Sequence, residues 1–331
     1  MSPPLCPHLT LHCFLGSSRC RLVLLGARHR PMSTFIAAES RLVLDDSVVA
    51  RPFEPAAVSS KPSIVNAKDF LLQSPRGVYT TARSVNSYAI MDLSAHLARL
   101  ATSLQGMQLP FESADAAPAE ATPPVSKTLG LMRNPEHNST WIAPVIRQSM
   151  AHYYRLVRDS GESNLGEAKI TALITYSPAG KIEIRSHCEK LPQLSLSSCR
   201  VAVYGMPRKT ASVKDSQWVL DRAHLESSKA PGVHEVLLID SQNNIYEGLS
   251  SNFAVLKKDS SGTIVLQTAP LTTVLPGTVL KMITGVCASL GIPVVYEFPN
   301  VRDRHEWLSA FISSTSRGAL CVSSIDFPDE R

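Results

Sequence analysis

The chain has 331 residues, 44% of them hydrophobic and 18% charged, with a formal net charge of +5. That apolar content suffices for one large or two ordinary domains with real cores, and it excludes a disordered, charge-rich tail protein. No apolar run approaches the roughly 18 residues of a membrane-spanning helix, so a soluble body with no membrane partner is expected.

Charge is uneven along the chain. Residues 1–38 hold Arg19, Arg21, Arg28 and Arg30, three histidines and no acid, and Glu39 is the first carboxylate. The rest sets 29 Lys and Arg against 28 Asp and Glu, so a nucleic-acid-binding body with its own basic stripe is not expected. Residues 1–38 read as an unstructured tail or as a transit-like segment addressed to a mitochondrion or plastid. Without such an address the protein is expected in the cytoplasm. Seven cysteines, at 6, 13, 20, 188, 199, 287 and 321, form no CxxC pair. Neither a metal site nor a disulfide framework is expected from them. Asn138-Ser139-Thr140 fits a glycosylation sequon and reads as chance.

Residues 40–75 read as irregular, with Pro52, Pro55 and Pro62 scattered through them. Gly77–Arg83 is rich in β-branched and aromatic residues and predicts a strand, followed by a short one over Tyr88–Met91. Asp92 can then cap a helix whose Leu93, Leu97, Leu100 and Leu104 form an apolar stripe, with His96 and Arg99 on another face. The Pro/Ala stretch 113–124 reads as a loop within an insertion at about 108–138. A helix over Ser139–Val157 carries Ile142, Ile146, Met150, Tyr153 and Val157 on one side. A hairpin over Ile170–Tyr176 and Lys181–Ser186 ends this half. The domains predicted are a small α+β domain over 39–190 and a larger one over 191–331.

In the second half Val201–Tyr204 predicts a strand and Asp215–Ser228 a helix. Strands follow at Glu235–Asp240, Ile245–Glu247, Asn252–Leu256 and Thr263–Thr268. Pro276-Gly277 opens a helix with Val279, Ile283, Val286 and Leu290 inward, stopped by Gly291. Pro293–Glu297 and Ala310–Ser314 complete the strands.

Four features carry possible chemistry. Gly277-Thr278 at a helix start can seat an anion, through free backbone N–H groups and the helix dipole. Lys214 precedes a helix; alone it would read as a solvated lysine. Glu247 ends a half-buried strand, where a carboxylate needs a partner. Arg99 would ordinarily be a solvated helix-face residue.

Their order and spacing are more telling than any one of them. One block is Gly77-Val-Tyr-Thr-Thr-Ala-Arg83 with Ser94-Ala-His-Leu-Ala-Arg-Leu100. A second runs from Lys214 through Glu235-Val-Leu-Leu-Ile-Asp240 to Tyr246-Glu-Gly-Leu-Ser-Ser-Asn-Phe253. A third is Pro270-Leu271 and Leu275-Pro-Gly-Thr278, with Phe311-Ile-Ser-Ser-Thr-Ser316. Together, over about residues 76–325, they resemble the class IV pyridoxal-phosphate-dependent aminotransferases, the group of D-amino-acid and branched-chain aminotransferases and aminodeoxychorismate lyase. The 21 positions from Lys214 to Glu235 are the separation typical of that family's Schiff-base lysine; Lys209, the competing lysine, would lengthen it by five.

The resemblance implies a two-domain α+β fold of type IV, with a barrel-like mixed sheet in the larger domain. It also implies a homodimer, pyridoxal 5'-phosphate as cofactor, and amino acid and 2-oxo acid substrates. Residue by residue, it makes Lys214 the Schiff-base lysine, whose amine must be neutral to act and whose pKa its site should therefore depress. Glu247 would face the pyridine nitrogen and keep it protonated. Arg99 would hold the phosphate, with the amides of Thr278 and Val279 completing a cup at Gly277. Leu275 would pack on the ring, Ser314 and Thr315 would lie near the phosphate edge, and Tyr79 would face the substrate. The chain departs from the family at Val279 and Leu280, where Thr-Arg commonly follows the glycine, and at Arg317 and Cys321, where small or Pro residues are usual. Within the family, Thr80-Thr-Ala-Arg83 and Ser94-Ala-His96 look more like the lyase, and Glu247-Gly-Leu-Ser-Ser-Asn252 more like the D-amino-acid branch. The alternatives to an aminotransferase are therefore an aminodeoxychorismate-lyase-like enzyme and a non-catalytic homologue that binds the cofactor.

Overall fold

The computed structural model describes residues 35–49, 54, 57–107, 127–177, 181–193 and 197–327. Most of the expected tail and the Pro/Ala stretch 113–124 lie outside them. The first half runs β1 (Ala37–Leu44), α1 (Asp46–Val49), β2 (Ser59–Ser63), α2 (Ala67–Leu72), β3 (Gly77–Val85), β4 (Ala89–Ile90), α3 (Leu93–Gly106), α4 (Lys127–Met132), α5 (Pro135–Asp159), β5 (Ala168–Tyr176) and β6 (Ile182–Lys190). Its strands form one antiparallel sheet in the order β2-β1-β6-β5-β3-β4.

The reading of 40–75 as irregular is corrected, and the tail ends earlier than residue 38. β1 already includes Ala37 and Ala38 and pairs along its whole length with β6, from Ala37↔Glu189 to Leu44↔Ile182. Glu39 and Arg41 hid the alternation in the sequence. In the sheet Glu39 is buried and accepts hydrogen bonds from Ser63 and Arg185, so its charge has partners rather than solvent. α2 is started by Asn66, whose side chain accepts from the amides of Lys68 and Asp69.

α3 begins where expected and buries Leu97, Leu100 and Leu104. Asp92 instead adopts a left-handed conformation, φ 48°, and makes no side-chain cap. The end of the expected insertion is helical: α4 precedes α5, which starts at Pro135 behind the Asn134 cap and buries Ile142, Ile146, Met150, Tyr153 and Val157. Asn138 of the sequon is fully buried in α5, donating to the Leu97 carbonyl.

The second half runs β7 (Ser198–Val203), α6 (Gln217–Asp221), α7 (Ala223–Ser227), β8 (Glu235–Ile239), β9 (Ile245–Gly248), β10 (Asn252–Lys258), β11 (Ile264–Thr268), α8 (Thr278–Ser289), β12 (Val294–Tyr296), β13 (Trp307–Ser314) and β14 (Gly318–Asp326). The sheet order is β12-β11-β10-β13-β14-β7-β8-β9, and an Asn252↔Glu247 pairing between β10 and β9 closes six strands into a barrel-like ring. The sheet is mixed, since β14–β7, β7–β8 and β11–β12 are parallel. Its interior is filled by Val201, Val203, Leu237, Phe253, Val255 and Ile312.

Two expectations are corrected here. The helix over 215–228 is two short helices, α6 and α7, joined at Arg222. α8 is rotated from its predicted face: Val286 and Leu290 are 56% and 68% exposed, while Val279, Leu280 and Cys287 are buried. Two overlapping apolar stripes exist on that helix, and packing of Cys287 and Ile283 against Ala254 and Leu266 selects one.

The two sheets meet where Lys214 sits. The segment before α6 pairs with β3 as an extra strand would: Tyr79 N donates to Lys214 O at 2.9 Å, and Ser216 N to Gly77 O at 2.8 Å. Arg76 makes a two-pronged ion pair with Asp215. Gly77 is required here, because a Cβ would lie 2.1 Å from the Ile174 carbonyl oxygen.

Candidate active site

A cavity of about 290 Å³ opens at this junction. Its walls include Lys214, Tyr79 and Arg99 on one side, and Glu247, Leu275, Gly277, Thr278, Val279, Ser314 and Thr315 on the other. All ten residues singled out in the sequence therefore come together at one place. They come from β3, α3, the Lys214 segment, β9, the loop before α8, and the turn after β13.

Lys214 is clamped by its backbone, with N donating to Ser103 Oγ at 3.1 Å and O accepting from Tyr79 N. Its amine lies 4.6 Å from the centroid of the Tyr79 ring and has no carboxylate among its described partners. Enclosure lowers its pKa to about 8; the Tyr79 phenol opposes this, and Arg99, Arg208 and Arg222 add to it. A sizeable fraction of the amine is thus neutral near physiological pH.

Arg99 likewise forms no ion pair among the described residues, although Asp92 acts on its charge through space. Its Nη2 donates to Thr80 Oγ1 at 2.6 Å and approaches His96 Nδ1 at 3.1 Å, while Thr80 Oγ1 lies 2.9 Å from the same ring nitrogen. Thr80 Oγ1, accepting from Arg99, therefore donates a hydrogen bond to His96 Nδ1, which is the acceptor. Burial drives the His96 pKa down to about 3, with Arg99 and Lys214 adding to the effect, so the ring is neutral and carries its hydrogen on Nε2. This short relay fixes the orientation of Arg99, whose own pKa burial lowers to about 10.

Glu247 is almost fully buried, and burial raises its pKa despite the charge of Arg208. Its Oε1 accepts from Arg208 Nε at 3.0 Å and Nη2 at 2.5 Å, and its Oε2 from the amide of Leu275 at 3.0 Å. The protein itself thus supplies the cationic partner that sequence reasoning gave to a ring nitrogen alone. Arg208 was missed, since nothing in Met206-Pro-Arg-Lys209 marks it; only folding brings it to a strand end 39 positions away. Also missed was a second pair, Arg317 Nη1 with Glu235 Oε2 at 2.5 Å. The same oxygen accepts from Ser250 and Ser251, locking two turns at the cavity edge.

At the other end Gly277 caps α8 in an extended conformation, and a Cβ there would fall 2.0 Å from Asn252 Oδ1. Asn252 in turn donates to the Leu275 carbonyl at 2.7 Å. Thr278 and Thr315 face each other across 3.4 Å, and the neighbouring Ser313 hydroxyl is buried with no hydrogen-bond partner among the described residues. Arg99 Nε and Thr171 Oγ1, both on cavity-lining residues, are likewise buried without a hydrogen bond. Such orphans are rare in folded proteins and mark a site shaped for a polar ligand.

A mixed sheet closed into a barrel, joined to an antiparallel α+β layer with a clamped lysine at the seam, defines the class: a two-domain fold of type IV. The family model for amino-transferase class IV matches residues 77–325, and the chain belongs to that family. It is accordingly an enzyme that transfers amino groups, and its cofactor is pyridoxal 5'-phosphate. Among solved structures, a fold IV-transaminase from Curtobacterium pusillum superposes with a TM-score of 0.62 at 18% identity, over 89% of this chain and 93% of that one. A branched-chain aminotransferase from Thermoproteus uzoniensis with norvaline gives 0.57 at 15% identity, over 87% and 88%. A hypothetical aminotransferase from Mycobacterium tuberculosis in its PLP-bound form gives 0.56 at 16%, over 86% and 91%. At these identities the likeness is one of fold. No curated protein matches the sequence.

The residues present fit that cofactor. An anion can be held at the α8 start, where helix-terminal amides and the helix dipole face a cavity that the unpartnered Ser313 hydroxyl also lines. Arg99 supplies a guanidinium that forms no ion pair among the described residues, and Lys214 an amine that is partly neutral.

Proposed function

We propose that the protein moves an amino group between an α-amino acid and a 2-oxo acid, with Lys214 as the residue that holds the cofactor's carbonyl carbon and then shuttles the substrate proton. The observation that carries this reading is the pair of enclosed cations, Lys214 and Arg99, that share a cavity with a buried carboxylate and form no ion pair among the described residues.

When bound, pyridoxal 5'-phosphate supplies an electron sink for the carbanion formed at the substrate Cα. Arg99, oriented by Thr80 and neutral His96, would hold the phosphate with the amides of Thr278 and Val279. Ser314 and Thr315 would border it. Glu247 would face the ring nitrogen and stabilise a proton there, its basicity tempered by Arg208. Leu275 would cover one ring face and help to exclude water. Lys214, a general base only when neutral, would take the proton from the substrate Cα and deliver it to the cofactor's carbonyl carbon, on the other side of the transferred nitrogen. Tyr79, beside the amine, would face the substrate. The family's dimeric habit is proposed for this chain as well.

Borohydride reduction of the holoenzyme followed by peptide mapping tests the assignment. A pyridoxyl group is expected on Lys214, and Lys214→Ala should lose both the adduct and more than about 10⁴-fold in turnover, beyond what one general acid–base group contributes. An adduct on Lys209, or on no lysine, would overturn it.

A further inference from the structure

The phosphate of the proposed cofactor accounts for Arg99 Nε and the Ser313 hydroxyl, both orphaned on the cavity wall. Thr171 Oγ1 is not explained in that way. Thr171 lines the cavity, is only 1% exposed, and its hydroxyl has no hydrogen-bond partner among the described residues.

The register of the sheet says where this hydroxyl stands. Across β3 and β5, Tyr79 pairs with Leu173 and Thr81 with Thr171. Opposed residues of an antiparallel pair share a face, and so do residues two apart on one strand. Thr171 is therefore on the face of Tyr79, whose ring lies 4.6 Å from the Lys214 amine, and not on that of Thr80, which meets His96. Two residues along an extended strand span about 7 Å, so the Thr81–Thr171 row lies one side chain's length beyond the Tyr79 row. Ala67 and Leu71 of α2 and Val219 of α6 line the cavity too, giving that stretch apolar walls.

Neither flanking strand satisfies Thr171. On β6 its opposite number is His187, whose Nε2 donates to the Val65 carbonyl at 2.8 Å. Burial lowers the His187 pKa and favours the neutral ring, leaving Nδ1 as an acceptor that is itself buried without a partner. The nearest cation on this face of β5 is matched: Lys169 Nζ meets Glu189 Oε1 at 3.0 Å, and Glu189 Oε2 accepts from the Ala67 amide at 2.9 Å. What remains for a ligand here is an uncharged hydroxyl between apolar walls.

We propose that Thr171 selects substrates by their side chain, so that amino acids and 2-oxo acids ending in a hydroxyl or carboxamide are preferred to apolar ones of the same length. An enclosed hydroxyl left unpaired costs free energy that a hydrogen-bonding side chain recovers and a methyl group does not. A site built in this way rejects the analogue that lacks the polar group. The proposal rests on Lys214 being the attachment point, and a failure of that reading shows separately, as a missing adduct on wild-type Lys214.

The test compares 2-amino-5-hydroxypentanoate with 2-aminohexanoate, which differ only in a hydroxyl for a methyl. Each is offered as both enantiomers to the holoenzyme with one common 2-oxo acid. Wild type should favour the hydroxy compound in kcat/KM by about 10-fold or more. Thr171→Val, which keeps the shape, should bring the ratio to about one or below, chiefly by raising KM for the hydroxy compound. Thr171→Ser should keep most of the preference, and cofactor absorbance and the Lys214 adduct should be the same in all three. Equal or inverted preference in wild type, turnover of neither compound, or a wild-type ratio in the folded Val variant would overturn the proposal. So would a wild type that takes 2-aminopentanedioate at least about 10-fold better than the hydroxy compound, since Lys169 would then be reading the side chain. Should the Val variant fail to fold, Thr171→Ala, which also removes the hydroxyl, decides by the same ratio.

Discussion

The two walls of the cavity are built on different principles. On the barrel wall every acid comes already matched: Glu247 holds Arg208 and Glu235 holds Arg317, each also tied to backbone or serine donors. On the wall next to the N-terminal sheet, Arg99 has only a hydroxyl and a neutral ring. The side-chain charges of the barrel wall are matched without a ligand, whereas the other wall leaves positive charge for one. Pre-matched pairs give rigidity and fixed orientation. An unmatched enclosed cation costs stability and returns it when an anion binds.

That contrast can be broken by mutation. Glu247→Gln should leave the cofactor attached but lower turnover by about 10²–10⁴-fold, because an amide cannot stabilise a proton on the ring nitrogen. It should also destabilise the apoprotein, by about 3 kcal/mol if the guanidinium of Arg208 finds no new partner. Near-normal kinetics together with unchanged urea unfolding would show that Glu247 is neither matched nor used.

Arg99→Met should behave in the opposite manner. Apoprotein unfolding should be unchanged or shifted to higher denaturant, since an uncompensated cation has been removed. Affinity for pyridoxal 5'-phosphate, followed by absorbance titration, should fall by about 10- to 100-fold, the worth of a charge-assisted contact. A destabilised apoprotein with unaltered cofactor affinity would put the structural role of Arg99 on the barrel wall's side of the comparison.

The smallest effect sharpens the seam between the walls. With the Lys214 pKa near 8, well below its usual 10.5, the neutral reactive amine accumulates as pH rises through 8 and then levels off. Attachment of the cofactor to apoprotein should therefore speed up about fivefold between pH 7 and 8 and flatten above 9. A rate still climbing tenfold per unit at pH 10 would mean that the amine is not enclosed.

Much of this site was legible in the chain. Lys214, Glu247 and the Leu275–Val279 run could be picked out because the chemistry fixes residue type and spacing, and local rules place a glycine and free amides at a helix start. Strands such as β3 and β5 were legible from β-branched, alternating residues. β1 was not, because its buried Glu39 and half-buried Ser60, on the facing strand β2, imitate a loop until Arg185 and Ser63 are packed against them.

What the sequence alone determined is the inventory: one lysine at the right distance from a signature carboxylate, a helix-start anion seat, and the pattern of strands that can form two sheets. Tertiary structure decided the pairings. Arg208 and Glu247, Arg317 and Glu235, and Arg222 and Leu249 are 39, 82 and 27 positions apart in the chain. The face that α8 buries was settled the same way, by Ala254 and Leu266 beneath it rather than by its own two stripes. The physical reason is common to all of these. Periodicity and capping act over a few residues and are written locally, whereas the partner of a buried charge is whichever group the closed sheet brings within about 3 Å.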